Sequence, residues 1–315
     1  MTALPTSEVA AARPRRQVGP GRLLRRVSVP SYRWRRRASD WFWRLVVSAF
    51  VVVIGVPVVA IAGVSLESLA QVDNGDVLSG LHLNNYLQVW SSIGLGSFLL
   101  HSLAVAVSCV GIVLVVAVGM AYVLARFTFK LRSAIALGML VGQLIPGVTV
   151  LLPIYVLYAD AQSTLHFQLI GGLLGLILID AATAIPLAVW LLMSHLEGVP
   201  RELDEAAVVD GASRARVLLQ VLVPVILPGI AVVGIFSFLA AWNDVLFASV
   251  LTSDSTRTVA IGLEEYVISN GSGSGAVLWN ELMAAALISA VPAVVFFFAA
   301  QRLVVNGLTA GAVRG

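Results

Sequence analysis

Charged residues are scarce in this sequence: Asp, Glu, Lys and Arg make up 12% of 315 residues, about half the share found in soluble globular chains. With 59% apolar residues and a mean hydropathy of +0.94, that shortage excludes an ordinary water-soluble domain. It points instead to an all-α, polytopic membrane protein whose side chains face lipid as well as each other. Disorder is excluded over most of the length too, because disordered segments are polar and charged. Cys109 is the only cysteine, so no disulfide framework can form within the chain, and its apolar surroundings make it a small core residue. No Gly-rich loop followed by Lys and Ser or Thr is present, hence no phosphate cradle. His101 and His195 have no second His or carboxylate at metal spacing, so no metal site and no catalytic residue are expected.

What charge there is lies unevenly. Eleven of the twenty basic residues, all arginines, fall between Arg13 and Arg44. No helix-turn-helix or aromatic-interleaved pattern accompanies them, so nucleic acid is not the expected partner. Residues 1–40 read as a disordered, Arg-rich tail attracted to anionic lipid headgroups. Six stretches, 45–66, 97–125, 133–159, 167–193, 217–243 and 282–301, are long and apolar enough to cross a bilayer, which takes roughly 20 helical residues. Only the fourth holds a charge, Asp180. In lipid the backbone must satisfy its own hydrogen bonds, so all six are read as helices.

With the N-terminus inside, the inner segments carry the eleven arginines, then Arg126, Lys130 and Arg132, then Arg201, Arg214 and Arg216, then Arg302 and Arg314. The outer segments hold only Arg257. The positive-inside rule therefore places both termini in the cytoplasm of a multi-pass plasma-membrane protein. The organisation expected is a tail (1–40), a first transmembrane helix (41–66), an outer loop (67–96), a five-helix core (97–305) with an inner loop (194–216), and a cytoplasmic C-terminal tail (306–315). The acidic residues of the outer loops, among them Glu67 and Glu281, read as a solvated face.

The inner loop is the informative stretch. Pro200 suits a first helical turn, and Glu202, Asp204 and Glu205 favour its positive end. Ala206 and Ala207 are small enough for a partner to approach closely, and Gly211 ends or bends the helix before Arg214 and Arg216. A short helix of this kind fits a partner's groove, and it equally suits a plain connecting loop. The residues alone leave both open.

Glu205-Ala206-Ala207, then Asp210-Gly211-Ala212-Ser213, then Val221, Val223, Pro224 and Pro228 resemble the EAA loop of ATP-binding-cassette (ABC) importer permeases. Leu218 stands where Phe is common in that loop. Asn85-Tyr86, Ala121-Tyr122 to Arg126-Phe127, Trp242-Asn243-Asp244 and the ending Gln301 to Gly315 are similar to the carbohydrate, maltose-type subgroup. The resemblance covers about residue 83 onward.

It implies a type I ABC importer permease fold in a bacterial plasma membrane. Its partners would be a second homologous permease, an ABC ATPase dimer, an external solute-binding protein and a sugar substrate. ATP and Mg would be bound by the ATPase, with no cofactor in this chain. Glu205, Ala206, Ala207, Asp210 and Gly211 would couple to the ATPase, and Gly307, Leu308, Thr309 and Gly311 would reach it from the C-terminal tail. Asp180, Trp242 and Asn243 are candidates for the solute pathway. A mid-span carboxylate costs about 2.5–3.5 kcal/mol on insertion scales, so Asp180 either serves the pathway or is hydrogen-bonded to Ser, Thr or backbone of a neighbouring helix, Thr183 being on its own helix. Trp242 fits an interfacial anchor as well as a sugar-stacking ring. The rival classes are a secondary transporter, which would want a midplane ion site, and a membrane scaffold without transport.

Overall fold

The computed structural model describes residues 32–74, 81–271 and 278–312, and among these the chain is helix and turn, with no strand. It divides into Met1–Gly55 and Val56–Gly315. The first unit is described through most of helix α1 (Tyr32–Ser65), whose stretch Trp41–Ser65 is long and apolar enough to span a membrane. Trp41, Phe50 and Ile54 stand exposed there, as lipid-facing side chains do. The helix begins within the stretch expected to be a tail; residues 1–31 lie outside those described.

The second unit takes in the end of α1 from Val56, then two short helices, α2 (Leu69–Asn74) and α3 (Asn85–Ser92), followed by α4 (Leu95–Arg126), α5 (Arg132–Gly142), α6 (Gly147–Leu165) and α7 (Leu173–Glu197). Next come α8 (Glu202–Val209), α9 (Arg214–Arg216), a π-helical turn (Val217–Leu222), α10 (Val223–Val225) and α11 (Leu227–Trp242). Helices α12 (Ala248–Leu251), α13 (Val259–Gly271) and α14 (Trp279–Ala312) complete it. Five helices among the described residues can cross a membrane by length and composition, or six if one bent pair counts as a span.

The core is the packing of α4 on α7 and α11, with α14 against α11. Val105, Cys109, Val113, Ala117 and Ala121 recur every fourth residue along α4 and are fully buried. Residues four apart share a helix face, and small ones let two helices approach closely. Leu176, Val189, Leu192 and Leu196 of α7 belong to the same core.

Two expected spans are not single rods. The third, 133–159, is broken at Gln143–Pro146 between α5 and α6, and its membrane-length helix is Gly147–Leu165. Pro146 lacks an N–H and biases Ile145 away from helical geometry. The N–H groups of Leu144 and Ile145 instead reach three residues back, to Val141 and Gly142. The fifth, 217–243, bends by 81° between Arg214–Val225 and Leu227–Trp242. Pro228 has no N–H to give the carbonyl four residues earlier, and the π-helical turn before it loosens the ladder further.

At the far end Asn85 Nδ2 donates to the carbonyls of Ser65 and Glu67, both at 2.9 Å, while Asn280 Nδ2 donates to Asn85 Oδ1 at 3.0 Å. Glu67 and Glu281 are buried rather than solvated, because this junction folds over them; Ser92 Oγ donates to Glu281 Oε2.

Candidate functional site

Helix α8 is a two-turn helix with an acidic first turn (Glu202, Asp204, Glu205). Its end is built by Gly211, whose φ of +84° costs an L side chain about 1–2 kcal/mol. That conformation lets Gly211 N–H donate to Val208 O at 3.0 Å and Ala212 N–H to Ala207 O at 2.9 Å, the paired bonds of a Schellman stop. Nothing lies within 4 Å of where a Gly211 Cβ would stand, so the glycine is there for its backbone.

Of the residues singled out in the loop, Glu205, Ala206, Asp210 and Gly211 are exposed and Ala207 is half-buried. Leu203, Ala206 and Val209, three apart, also stand exposed, Val209 at 86%. An apolar stripe left open on a two-turn helix is a ready contact for a partner.

The opposite face is clamped. Asp204 turns inward, its Oδ2 2.7 Å from Arg126 Nε at the end of α4, with the two side chains only 12% and 6% exposed. Arg126 Nη2 also donates to Val199 O at 3.1 Å, and Arg201 Nη2 to Ala125 O at 3.3 Å. On the far side of the loop Arg214 lies 5.6 Å over the Phe127 ring, which meets Tyr122 edge-on. Sequence reading assigned Asp204 to the helix dipole and missed this clamp. Arg126 closing the Ala121–Phe127 motif opposite an acid-rich loop was the available signal.

A cavity lies roughly midway along α7 and α11. Gln143 in the α5–α6 break, Thr183 of α7 and Ser237 of α11 share a cavity of about 310 Å³ with Leu187, Leu191, Val233 and Phe236. Gln143 Nε2 donates to Thr183 O at 2.7 Å.

Asp180 does not line that cavity. It is 5% exposed, and its Oδ2 is buried without a hydrogen-bond partner. Thr183 Oγ1 donates to the Asp180 backbone carbonyl, at 3.0 Å, and not to its carboxylate.

Trp242 is buried rather than placed at an interface: it stacks on Phe238 at 5.5 Å, which stacks on Phe296 at 4.2 Å. Asn243 is exposed, and its Nδ2 donates to Leu239 O at 2.8 Å. Beyond the helix, Asp244 accepts from the N–H groups of Phe247 and Ala248. Burial pushes that carboxyl above its ordinary value, and the backbone N–H groups oppose the shift.

His195 is occupied in packing, its Nδ1 2.8 Å from Leu191 O and its ring against Gly229. Gly307, Leu308, Thr309 and Gly311 lie in the backbone of α14, their side chains outside those described. Leu303 of α14 and Leu227 of α11 line one shallow cavity, so α14 ends at the end of the bundle that carries α8.

A bundle of apolar, membrane-length helices with a clamped surface helix at one end is the frame of a polytopic membrane protein. The chain belongs to the family described as binding-protein-dependent transport system inner membrane component, whose model matches residues 114–309. It is 35% identical to a putative ABC transporter permease protein of Streptomyces antibioticus, over 74% of this chain and 97% of that protein. It is 36% identical to the maltose/maltodextrin transport system permease protein MalG of Escherichia coli, over 69% of this chain and 72% of that one. The alpha-glucoside permease AglG of Rhizobium meliloti is 36% identical over 74% of this chain and 60% of its own length. A permease chain from a bacterial ABC transporter involved in the import of alginate shares the fold, with a TM-score of 0.71 at 18% identity, over 84% of this chain and 96% of that one. The ABC importer permease reading therefore stands, and the secondary-transporter and scaffold alternatives fall.

Proposed function

We propose that this chain carries a sugar or oligosaccharide inward as one of two homologous permeases in a complex with an ABC ATPase dimer and an external solute-binding protein. ATP and Mg belong to the ATPase, and this chain does no chemistry of its own. The observation that carries the reading is α8: its outer stripe, Leu203, Ala206 and Val209, is open, while its inner face is tied to α4 through Asp204 and Arg126. Seated in a cleft of the ATPase, with Glu205, Ala207, Asp210 and Gly211 at the contact, such a helix passes the closing motion of the ATPase to the bundle as a rigid-body switch. Helix α14 runs on to Ala312, which carries Gly307 to Gly311 toward the same subunits. The α8 end and both termini are cytoplasmic on this reading, in keeping with its arginines. The sugar assignment is supported by the relatives named for maltose/maltodextrin and alpha-glucosides.

The test is a mild-detergent pull-down of the tagged chain from its native membrane, followed by uptake assays with sugars that the recovered binding protein holds. Recovery of an ATPase, a second permease and a binding protein is the expected result. Recovery of none of them, under conditions that preserve known complexes, would overturn the assignment.

A further inference from the structure

Two cavities adjoin where α4 and α7 end and α5 begins. The first is polar, about 560 Å³ in volume, and lined by Arg126, Arg132, Glu197, Arg201 and Glu202. The second is an apolar furrow walled by Ala136, Met139, Pro186, Trp190 and Met193. On each helix the two linings follow one another within a turn. Leu124 precedes Ala125 and Arg126 on α4, Ala136 stands four residues beyond Arg132 on α5, and Met193 stands four before Glu197 on α7. Residues four apart share a helix face, so the furrow leads from the polar cavity into the span.

Helix length sets the depth of both. Helix α7 has 25 residues, about 38 Å at 1.5 Å each, against a hydrocarbon core of about 30 Å in a bilayer of about 40–45 Å. Its last residue, Glu197, therefore stands among the lipid headgroups. Pro186, eleven residues earlier, lies well inside the hydrocarbon. Trp190 beside the furrow and Leu137 next to Ala136 are exposed, as lipid-facing side chains are. The furrow has no room for water, and an apolar chain would lie along its mouth.

Charges of both signs line the polar cavity, and they balance. Asp204 neutralises Arg126 from behind, and Arg132 meets Glu197 at 2.7 Å with the two side chains 31% and 46% exposed. Arg201 and Glu202 are exposed and pair with no opposite charge among the described residues. An anion alone would meet Arg201 and be repelled by Glu202; a cation alone would meet the reverse. A zwitterion satisfies both. A phosphate matches the guanidinium fork of arginine, and a primary ammonium has N–H groups to donate to a carboxylate, which a quaternary ammonium lacks.

We propose that this cavity holds the headgroup of a zwitterionic phospholipid bearing a primary ammonium, with one acyl chain along the apolar furrow. Glu202 is the first residue of α8, so the lipid ties the start of that helix to the membrane surface. The site requires only that the chain spans a membrane, whatever solute it carries.

The test uses the protein purified in mild detergent with its partner subunits and stripped of lipid by detergent exchange. Phosphatidylethanolamine carrying a diazirine on one acyl chain is added, with phosphatidylglycerol and phosphatidylcholine carrying the same group in parallel. Crosslinked peptides are mapped by mass spectrometry. Crosslinks within Arg132–Gly142 or residues 186–197 are expected, several-fold more frequent for phosphatidylethanolamine than for either other lipid. Glu202→Lys reverses one exposed charge and is expected to turn the preference toward phosphatidylglycerol. Ala136→Trp fills the furrow and is expected to lower the crosslink several-fold with an unchanged elution profile. Water-soluble glycerophosphoethanolamine, the headgroup without chains, is expected not to compete at equal concentration.

Absence of crosslinks in these segments overturns the proposal, and so does equal crosslinking by all three lipids, the mark of annular lipid only. An unchanged preference in Glu202→Lys overturns it too, as does undiminished crosslinking in a folded Ala136→Trp. Crosslinks that appear only once the ATPase is removed would assign the cavity to that subunit. Competition by the soluble headgroup would assign it to a soluble ligand, and either result overturns the lipid site.

Discussion

The two levels of this bundle are built on opposite rules. On the inner face of α8 the polar groups are paired and enclosed: Arg126 meets Asp204 at 2.7 Å with both side chains nearly buried, and a second arginine, Arg201, is tied to the end of α4. At mid-depth the polar groups are uncharged and face an open cavity, beside a stretch of backbone that the helices leave exposed. The first arrangement suits a joint that transmits force, because a buried ion pair tolerates little displacement. The second suits a passage, because hydrogen-bonding groups without charge can exchange water for solute at little net cost. Stiffness is kept where ATP-driven motion would enter, and loose polarity where a solute would pass.

The sharpest way to break this contrast is to remove one half of the clamp. Arg126→Ala leaves the Asp204 carboxylate buried and uncompensated, a loss of about 3–5 kcal/mol for pairs of this burial. A clear fall in the thermal unfolding midpoint in detergent and loss of uptake are expected. Arg126→Met with Asp204→Leu removes both charges and is expected to recover most of the stability without restoring coupled uptake. Full uptake in Arg126→Ala would show that α8 is held by something else.

Next in size is the helix stop. Gly211→Ala forces an L residue into φ near +84° at about 1–2 kcal/mol. Protein in the membrane is expected at near-normal levels with reduced uptake per molecule, because the stop sets where α8 ends. Gly211→Trp adds bulk at the proposed contact and is expected to abolish uptake, with membrane insertion intact by fractionation.

Smaller again is a change to the open stripe. Val209 is 86% exposed, so Val209→Glu is expected to leave the unfolding midpoint within about 0.5 kcal/mol of the parent. The same change places a charge in the proposed ATPase contact, and the ATPase recovered in a pull-down is expected to fall about tenfold. Equal recovery would move the contact off this face of α8.

Much of this was legible in the sequence, and the exceptions share a cause. The apolar stretches marked the spans, because a span is a property of local composition. The Ala-Ala and Gly211 spacing marked the loop helix, because caps and stops are written within a few residues. The breaks at Gln143–Pro146 and near Ile226 were hidden inside runs of unbroken hydropathy, since hydropathy counts side chains and a break is a backbone event. Pro146 and the pair Pro224 and Pro228 were present, but membrane helices tolerate proline, so their presence did not decide. The Arg126–Asp204 pair spans 78 residues, and no local pattern reports such a contact. Trp242 misled in a related way: its place at the end of a span suggested an interface, but it is buried and stacks on Phe238, which in turn stacks on Phe296 of another helix.

The smallest effect expected falls on Asp180, and it tests the contrast from the other side. Its carboxylate is buried with one oxygen unpartnered, so it resembles neither the paired charges around α8 nor the open neutral groups at mid-depth. An isolated buried carboxylate is a cost to the fold unless something outside this chain meets it. Asp180→Asn keeps the shape and removes the ionisable carboxyl. Were the residue only a burden, the unfolding midpoint should stay level or rise by the equivalent of about 1 kcal/mol, with uptake unaltered. A fall in uptake without loss of stability would bring Asp180 into the solute route. The passage would then include one carboxyl that only a partner or the solute itself satisfies.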